Sequence, residues 1–117
     1  KIKKKYPSVP LIFFSKTNNY LGFKSFFNNI DCVSFSSNYR MKNYLNAVPQ
    51  NISFQGNLDP MKLVIGGNEM RTSVNSILED MRKKNFIFNL GHGILPETPV
   101  ENVCRIVDQI REFKKRV

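Results

Sequence analysis

Histidine occurs once in this chain, cysteine twice and tryptophan not at all. A single histidine, His92, excludes a metal centre built from several imidazoles. No cysteine or aspartate stands at ligand spacing to it, so no metal is expected. Cys32 and Cys104 lie 72 positions apart, which excludes a C-x-x-C pair and argues against a disulfide framework. Each falls in an apolar periodic segment, so the expectation is two reduced packing cysteines of a cytoplasmic protein. Long apolar runs are missing as well: none approaches the roughly 20 residues that cross a bilayer, and no membrane partner is expected. The six glycines form neither the G-x-x-x-x-G-K-[ST] phosphate loop nor the G-x-S-x-G nucleophile elbow. Lys1-Ile2-Lys3-Lys4-Lys5 is not followed by the apolar stretch of a signal peptide. The first residue is not methionine, and the chain is expected to be a fragment or a processed product.

What is present suits a packed domain or a piece of one. The chain has 117 residues, of which 41% are hydrophobic and 12% aromatic, enough for a core and too apolar for a disordered class. A net charge of +9 raises the question of nucleic acid. Its distribution answers it. Seven of the eighteen basic residues sit in the first five and last four positions, and the body between Tyr6 and Phe113 is only +2. The basic ends read as solvated helix termini rather than a binding stripe, and no nucleic-acid partner is expected.

The chain reads as four strand-then-helix units. Residues 9–16 form the first strand, nearly all apolar, as in a strand covered on both faces. Phe23, Phe26, Phe27 and Ile30 then recur at helical spacing. Residues 32–36 form the second strand, followed by a helix carrying Met41, Tyr44, Leu45 and Val48 and ended by Pro49. The third strand, residues 52–55, is broken by Gly56-Asn57-Leu58-Asp59-Pro60. After a short apolar segment and a Gly66-Gly67 break, Val74, Ile77, Leu78 and Met81 mark a longer helix. Residues 86–90 form the fourth strand. Thr98, Pro99 and Glu101 spell a capping box with proline at the first helical position, and Val103, Ile106, Val107 and Ile110 line the last helix. Alternating strands and helices argue for an α/β fold with a parallel sheet, either a small open sandwich or half of an eight-stranded barrel, whose complete form takes roughly 250 residues. With no linker in sight, residues 1–117 are expected to belong to one domain.

In parallel α/β folds the chemistry sits at the carboxyl ends of the strands, and the polar clusters fall there. They are Ser15-Lys16-Thr17, Ser36-Ser37-Asn38, Gln55 to Asp59, and Asn89-Leu90-Gly91-His92-Gly93. Gly91 and Gly93 are expected to let the backbone turn sharply and to bring a ligand close to His92. Histidine there can hold a carboxylate, move a proton or finish a turn locally, and pattern alone does not choose between these. Asp59-Pro60 reads first as a turn starter, with Asp59 as a site or support residue the other reading.

The segments Phe54-Gln55-Gly56-Asn57-Leu58-Asp59-Pro60 and Phe88-Asn89-Leu90-Gly91-His92-Gly93-Ile94 resemble the last two strand-end motifs of the uroporphyrinogen decarboxylases. The spacing between them and the T-P-x-E-N-V helix start at Thr98 are also similar. From residue 51 onward the resemblance is strong, and from 9 to 48 it is looser but in register, so it covers the whole chain as the last third of the family's protein. It implies the C-terminal half of a (β/α)8 barrel, normally a homodimer. The implied activity is a cofactor-free decarboxylation of the four acetates of uroporphyrinogen to give coproporphyrinogen in haem biosynthesis. It further implies that His92 contacts substrate, with Gln55, Gly56, Asn57, Asp59, Gly91 and Gly93 supporting the cleft. An octacarboxylate substrate favours a basic cleft.

The family's cation-stabilising aspartate, the arginines of its R-Q-A-G-R motif and its tyrosine have no counterpart here, so no catalytic residue is expected in this segment and the chain alone should be inactive. Two departures stand out. Thr17-Asn18-Asn19 replaces glycines, and Ser36 and Ser37 replace the aspartate and tryptophan of G-L-D-W-T. The related zinc-dependent methyltransferases carry cysteine where His92 stands, which favours the decarboxylase branch. A competing reading is a non-catalytic binding or assembly module, or a decayed remnant of the same fold.

Overall fold

The computed structural model describes residues 1–17 and 24–116, with the backbone alone at Lys24. Phe23 of the first apolar stripe and Asn18-Asn19 lie outside the described residues. A short basic helix α1 (Ile2–Lys5) precedes the four units. Strand β1 is Ile12–Phe14 and β2 is Cys32–Ser34; β3 is Ser53–Leu58 and β4 is Phe86–Leu90. The order β1-β2-β3-β4 is sequential and every pairing is parallel. Sequential order decides between the two layouts, because an open doubly wound sheet reverses direction at a switch point and a barrel does not.

The register places Ile12, Cys32 and Ser53 in one row, and Phe14, Ser34, Gln55 and Ile87 in the next, all on one face. The alternate positions, Phe13, Val33, Phe54 and Phe86, point the other way into the packed helical layer. That layer buries Val33, Phe35 and Phe54 completely, with the rings of Phe35 and Phe54 4.9 Å apart. Each such side chain stabilises the fold by about 1.5–3 kcal/mol. The opposite face is open: Ile12, Phe14 and Ile87 are 47%, 45% and 46% exposed. The strands are therefore covered on one face, not on both as their apolar runs suggest. Their second apolar face is the kind that fills a barrel interior.

The helical segments between the early strands differ in kind from expectation. Lys24–Asn29 and Met41–Tyr44 are 3-10 turns rather than α-helices. Ser25, Asn28, Asn29 and Asn43 are weak helix formers that compete for backbone hydrogen bonds, and such short connections favour the tighter turn. The apolar spacing still finds the buried side: Phe27, Ile30, Met41 and Val48 are all buried.

The second half is regular. Asp59 caps helix α2 (Pro60–Ile65), its carboxylate accepting from the Met61 amide at 2.9 Å, with Pro60 at the first helical position. Helix α3 (Gly67–Asp80) buries Met70, Val74 and Leu78. Helix α4 (Val100–Arg116) buries Ile106 and Asn102, while Val107 and Cys104 are exposed. Its stripe is thus rotated from the expected one, because Asn102 turns inward to donate to the Leu63 carbonyl at 2.8 Å. The Thr98 hydroxyl is buried without a hydrogen-bond partner, so the threonine cap read from the sequence does not form.

Candidate functional site

Four carboxyl-terminal strand ends meet on one rim, and His92 stands on it. The β3–β4 ladder continues one residue past β4, where the Gly91 amide donates to the Leu58 carbonyl at 2.8 Å. His92 follows, exposed, with its ring edge-on to Phe14 at 6.2 Å between centroids. Its Nε2 lies 3.0 Å from Oγ of Ser36, two residues beyond β2 and fully buried. The Ser36 Oγ also accepts from the Asn38 amide at 3.4 Å.

An open cleft of about 530 Å3 runs along this rim, walled by Phe14, Ser34, Gln55 and residues 89–94. Within it the Gln55 amide donates to the Ser34 hydroxyl at 3.0 Å. Among the described residues the lining holds no lysine, arginine, aspartate or glutamate. The described residues of this lining offer amide, hydroxyl and imidazole groups rather than the basic cleft that an octacarboxylate favours. Such a set can orient and hydrogen-bond an anion but supplies no carboxylate acid or base. Next along the open face, burial and the Asp31 charge push the Cys32 thiol up to about 11, so it stays protonated and inert. Among the described residues no cluster of three or more His, Cys, Asp or Glu could hold a metal, and no helix is long and apolar enough to cross a membrane.

The other expected site residues serve the scaffold. Asn57 is buried, its amide donating to the Ser36 carbonyl at 2.9 Å and to the Tyr39 carbonyl. It ties the loop after β2 to β3 and so sets where Ser36 stands. Gly56, at φ +128°, lets β3 run on where the sequence suggests a break. An added Cβ would meet the Phe35 carbonyl oxygen at 2.9 Å. Asp59 lines a different cleft, of about 550 Å3, with Arg40, Lys62 and Asp80.

Gly91 and Gly93 line the His92 cleft, but neither has a positive φ. A Cβ on Gly91 would strike the Ser37 backbone, whereas one on Gly93 meets nothing within 4 Å. Gly91 thus serves close packing of two chain segments rather than a sharp turn. Ser36 and Phe14 are the contacts that sequence reasoning missed. The strand-end serines and the alternation of β1 were visible signals, but pairing them with His92 needs the register between strands.

Sequential parallel strands, helices on one face and a polar cleft at the carboxyl rim define a segment of the (β/α)8-barrel class. Within that class the chain belongs to the uroporphyrinogen decarboxylase family, whose sequence model matches residues 1–113. It is similar to the uroporphyrinogen decarboxylase of Brucella anthropi, with 36% identity over 97% of this chain and 33% of the relative. The enzyme of Rickettsia canadensis is 38% identical over 98% of this chain and 34% of its own length. That of Rickettsia bellii is 40% identical over 97% and 33%. The chain thus spans about a third of the length of the curated relatives it matches.

Proposed function

We propose that residues 1–117 form the C-terminal segment of a uroporphyrinogen decarboxylase barrel and supply the part of its cleft that positions substrate through His92. The completed enzyme removes carbon dioxide from the four acetate side chains of uroporphyrinogen, giving coproporphyrinogen. It works without a cofactor, as a homodimer in the cytoplasm. The observation that carries this reading is the convergence of all four strand ends, with His92, on one side of the molecule.

Loss of carbon dioxide from a pyrrole acetate is eased when the ring is protonated, because the cation accepts the electron pair released. An enzyme must then stabilise that cation and hold the substrate's other carboxylates. His92, Gln55 and Asn89 suit the second task. The first needs a carboxylate, and the substrate's negative charge calls for cations; neither is among the described residues that line this cleft. The carboxylate and the further cations fall to residues on the four remaining units, whose strands would pair with β1 and β4 and cover Ile12, Phe14 and Ile87.

The test is carbon dioxide release from uroporphyrinogen by this chain alone and by this chain mixed with a separately made segment carrying the first part of the family's barrel. The expected result is no activity alone and activity on mixing. Turnover by the isolated chain overturns the reading. Light scattering separates it from an assembly module of the same fold: a clean monomer favours the self-sufficient module, and self-association through the open face favours the barrel segment.

A further inference from the structure

We infer that Ser36 is a positioning residue that holds the His92 ring in one tautomer, with the proton on Nδ1. The argument is a count of donors and acceptors. The Ser36 side chain is fully buried, so no water is there to take its proton. Toward Asn38 it can only accept, because a backbone amide only donates. Among the described residues the remaining partner within hydrogen-bond distance is Nε2 of His92, at 3.0 Å. If Nε2 carried a hydrogen, both groups would present protons to each other or the buried hydroxyl would be left without an acceptor. The consistent arrangement has the hydroxyl donating to a bare Nε2. The ring hydrogen then sits on Nδ1, which no protein group accepts among the described residues. Asn57 fixes the donor end by holding the Ser36 carbonyl at 2.9 Å, and Phe14 stands edge-on to the imidazole.

The consequence is a fixed N–H on the exposed ring, suited to an anionic oxygen such as a carboxylate. That last step rests on the function proposed above; the tautomer itself does not.

Because His92 is the only histidine, its two ring nitrogens can be read without assignment ambiguity. The experiment is a long-range proton–nitrogen correlation spectrum of the 15N-labelled chain at alkaline pH, with no ligand. The expected spectrum has Nδ1 protonated and Nε2 bare, the reverse of the preference of a free imidazole side chain. Ser36→Ala should move the ring to predominantly Nε2–H, and Ser36→Thr, which keeps the hydroxyl, should retain Nδ1–H. Nε2–H or an even mixture in the unsubstituted chain overturns the inference. So does a folded Ser36→Ala chain whose ring is unchanged. Should Ser36→Ala fail to fold, the spectrum of the unsubstituted chain decides alone. The ring measurement also stays separate from the decarboxylation assay. Nδ1–H in a chain inactive on mixing removes the functional reading and supports this one, and Nε2–H in an active mixture does the reverse.

Discussion

Gly91 packs against the backbone of Ser37 so closely that no side chain fits between them. This contact brings the end of β4 against the loop after β2 and sets His92 within reach of Ser36. Gly91→Ala should therefore cost about 1–3 kcal/mol, the range for overpacking a tight site, and should break the Ser36–His92 hydrogen bond. Gly93→Ala, with open space at its Cβ, should stay within about 0.5 kcal/mol of the parent. Urea unfolding of the two variants measures the contrast. Equal effects at both positions would contradict the packing role given to Gly91.

Asn102 is a buried polar residue that joins two helices of the scaffold. Its amide donates to the Leu63 and Val64 carbonyls at 2.8 and 3.3 Å, satisfying the free end of α2 and fastening α4 to it. Asn102→Ala leaves buried carbonyls unpaired and should cost about 1–3 kcal/mol by urea unfolding. Gly66→Ala should disturb the same joint, since its Cβ would lie 2.5–2.8 Å from the Asn102 side chain at a φ of +69°. The double substitution should then cost less than the sum of the two, because both break one contact. Full additivity would show that Gly66 and Asn102 act separately.

These polar joints mark where the sequence stops being readable. Periodicity located the four strands and the buried side of α3, because apolar spacing reports burial directly, but it missed the rotation that Asn102 gives α4. β4 comes out at residues 86–90 as read, and Val74, Leu78 and Met81 are buried as read. Hydrogen bonding inside short segments is less visible: Met41 and Val48 are buried, yet Met41–Tyr44 is a 3-10 turn. Gly56 reads as a strand breaker and instead lets β3 pass the Phe35 carbonyl, a close approach set by a neighbouring strand. At the site, His92 at a strand end was legible from its position. Its partner Ser36 was not, because 56 residues separate them and only the β2–β3–β4 register joins them.

The cysteines give a chemical test of burial. Cys104, expected as a packing residue, is exposed on α4, whereas Cys32 is buried with its thiol pushed up to about 11. Mild alkylation with iodoacetamide near neutral pH should label Cys104 and spare Cys32, with both labelled in denaturant. Peptide mass spectrometry reads the sites. Rapid native labelling of Cys32 would place it outside the packed sheet.

Acid should weaken the docking of the N-terminal segment. The Asp31 carboxylate receives the Lys3 ammonium and the Leu11 amide, and Lys3 also reaches the Val9 carbonyl at 3.0 Å. The hydrogen bond from Lys3, followed by that from Leu11, holds the Asp31 carboxyl below its usual value. A carboxyl lowered in the folded state contributes stability above its unfolded value, about 3.9, and loses that contribution as pH falls through the folded value. Docking of residues 1–11 against β2 should hold at neutral pH and weaken below about pH 4, where the unfolded carboxyl begins to take up protons. Hydrogen exchange at the Leu11 amide, corrected for the intrinsic pH dependence of exchange, should show this loss of protection. Asp31→Asn should be less protected at neutral pH and should lack the acid step. An acid step of equal size in Asp31→Asn would assign the effect to another carboxylate.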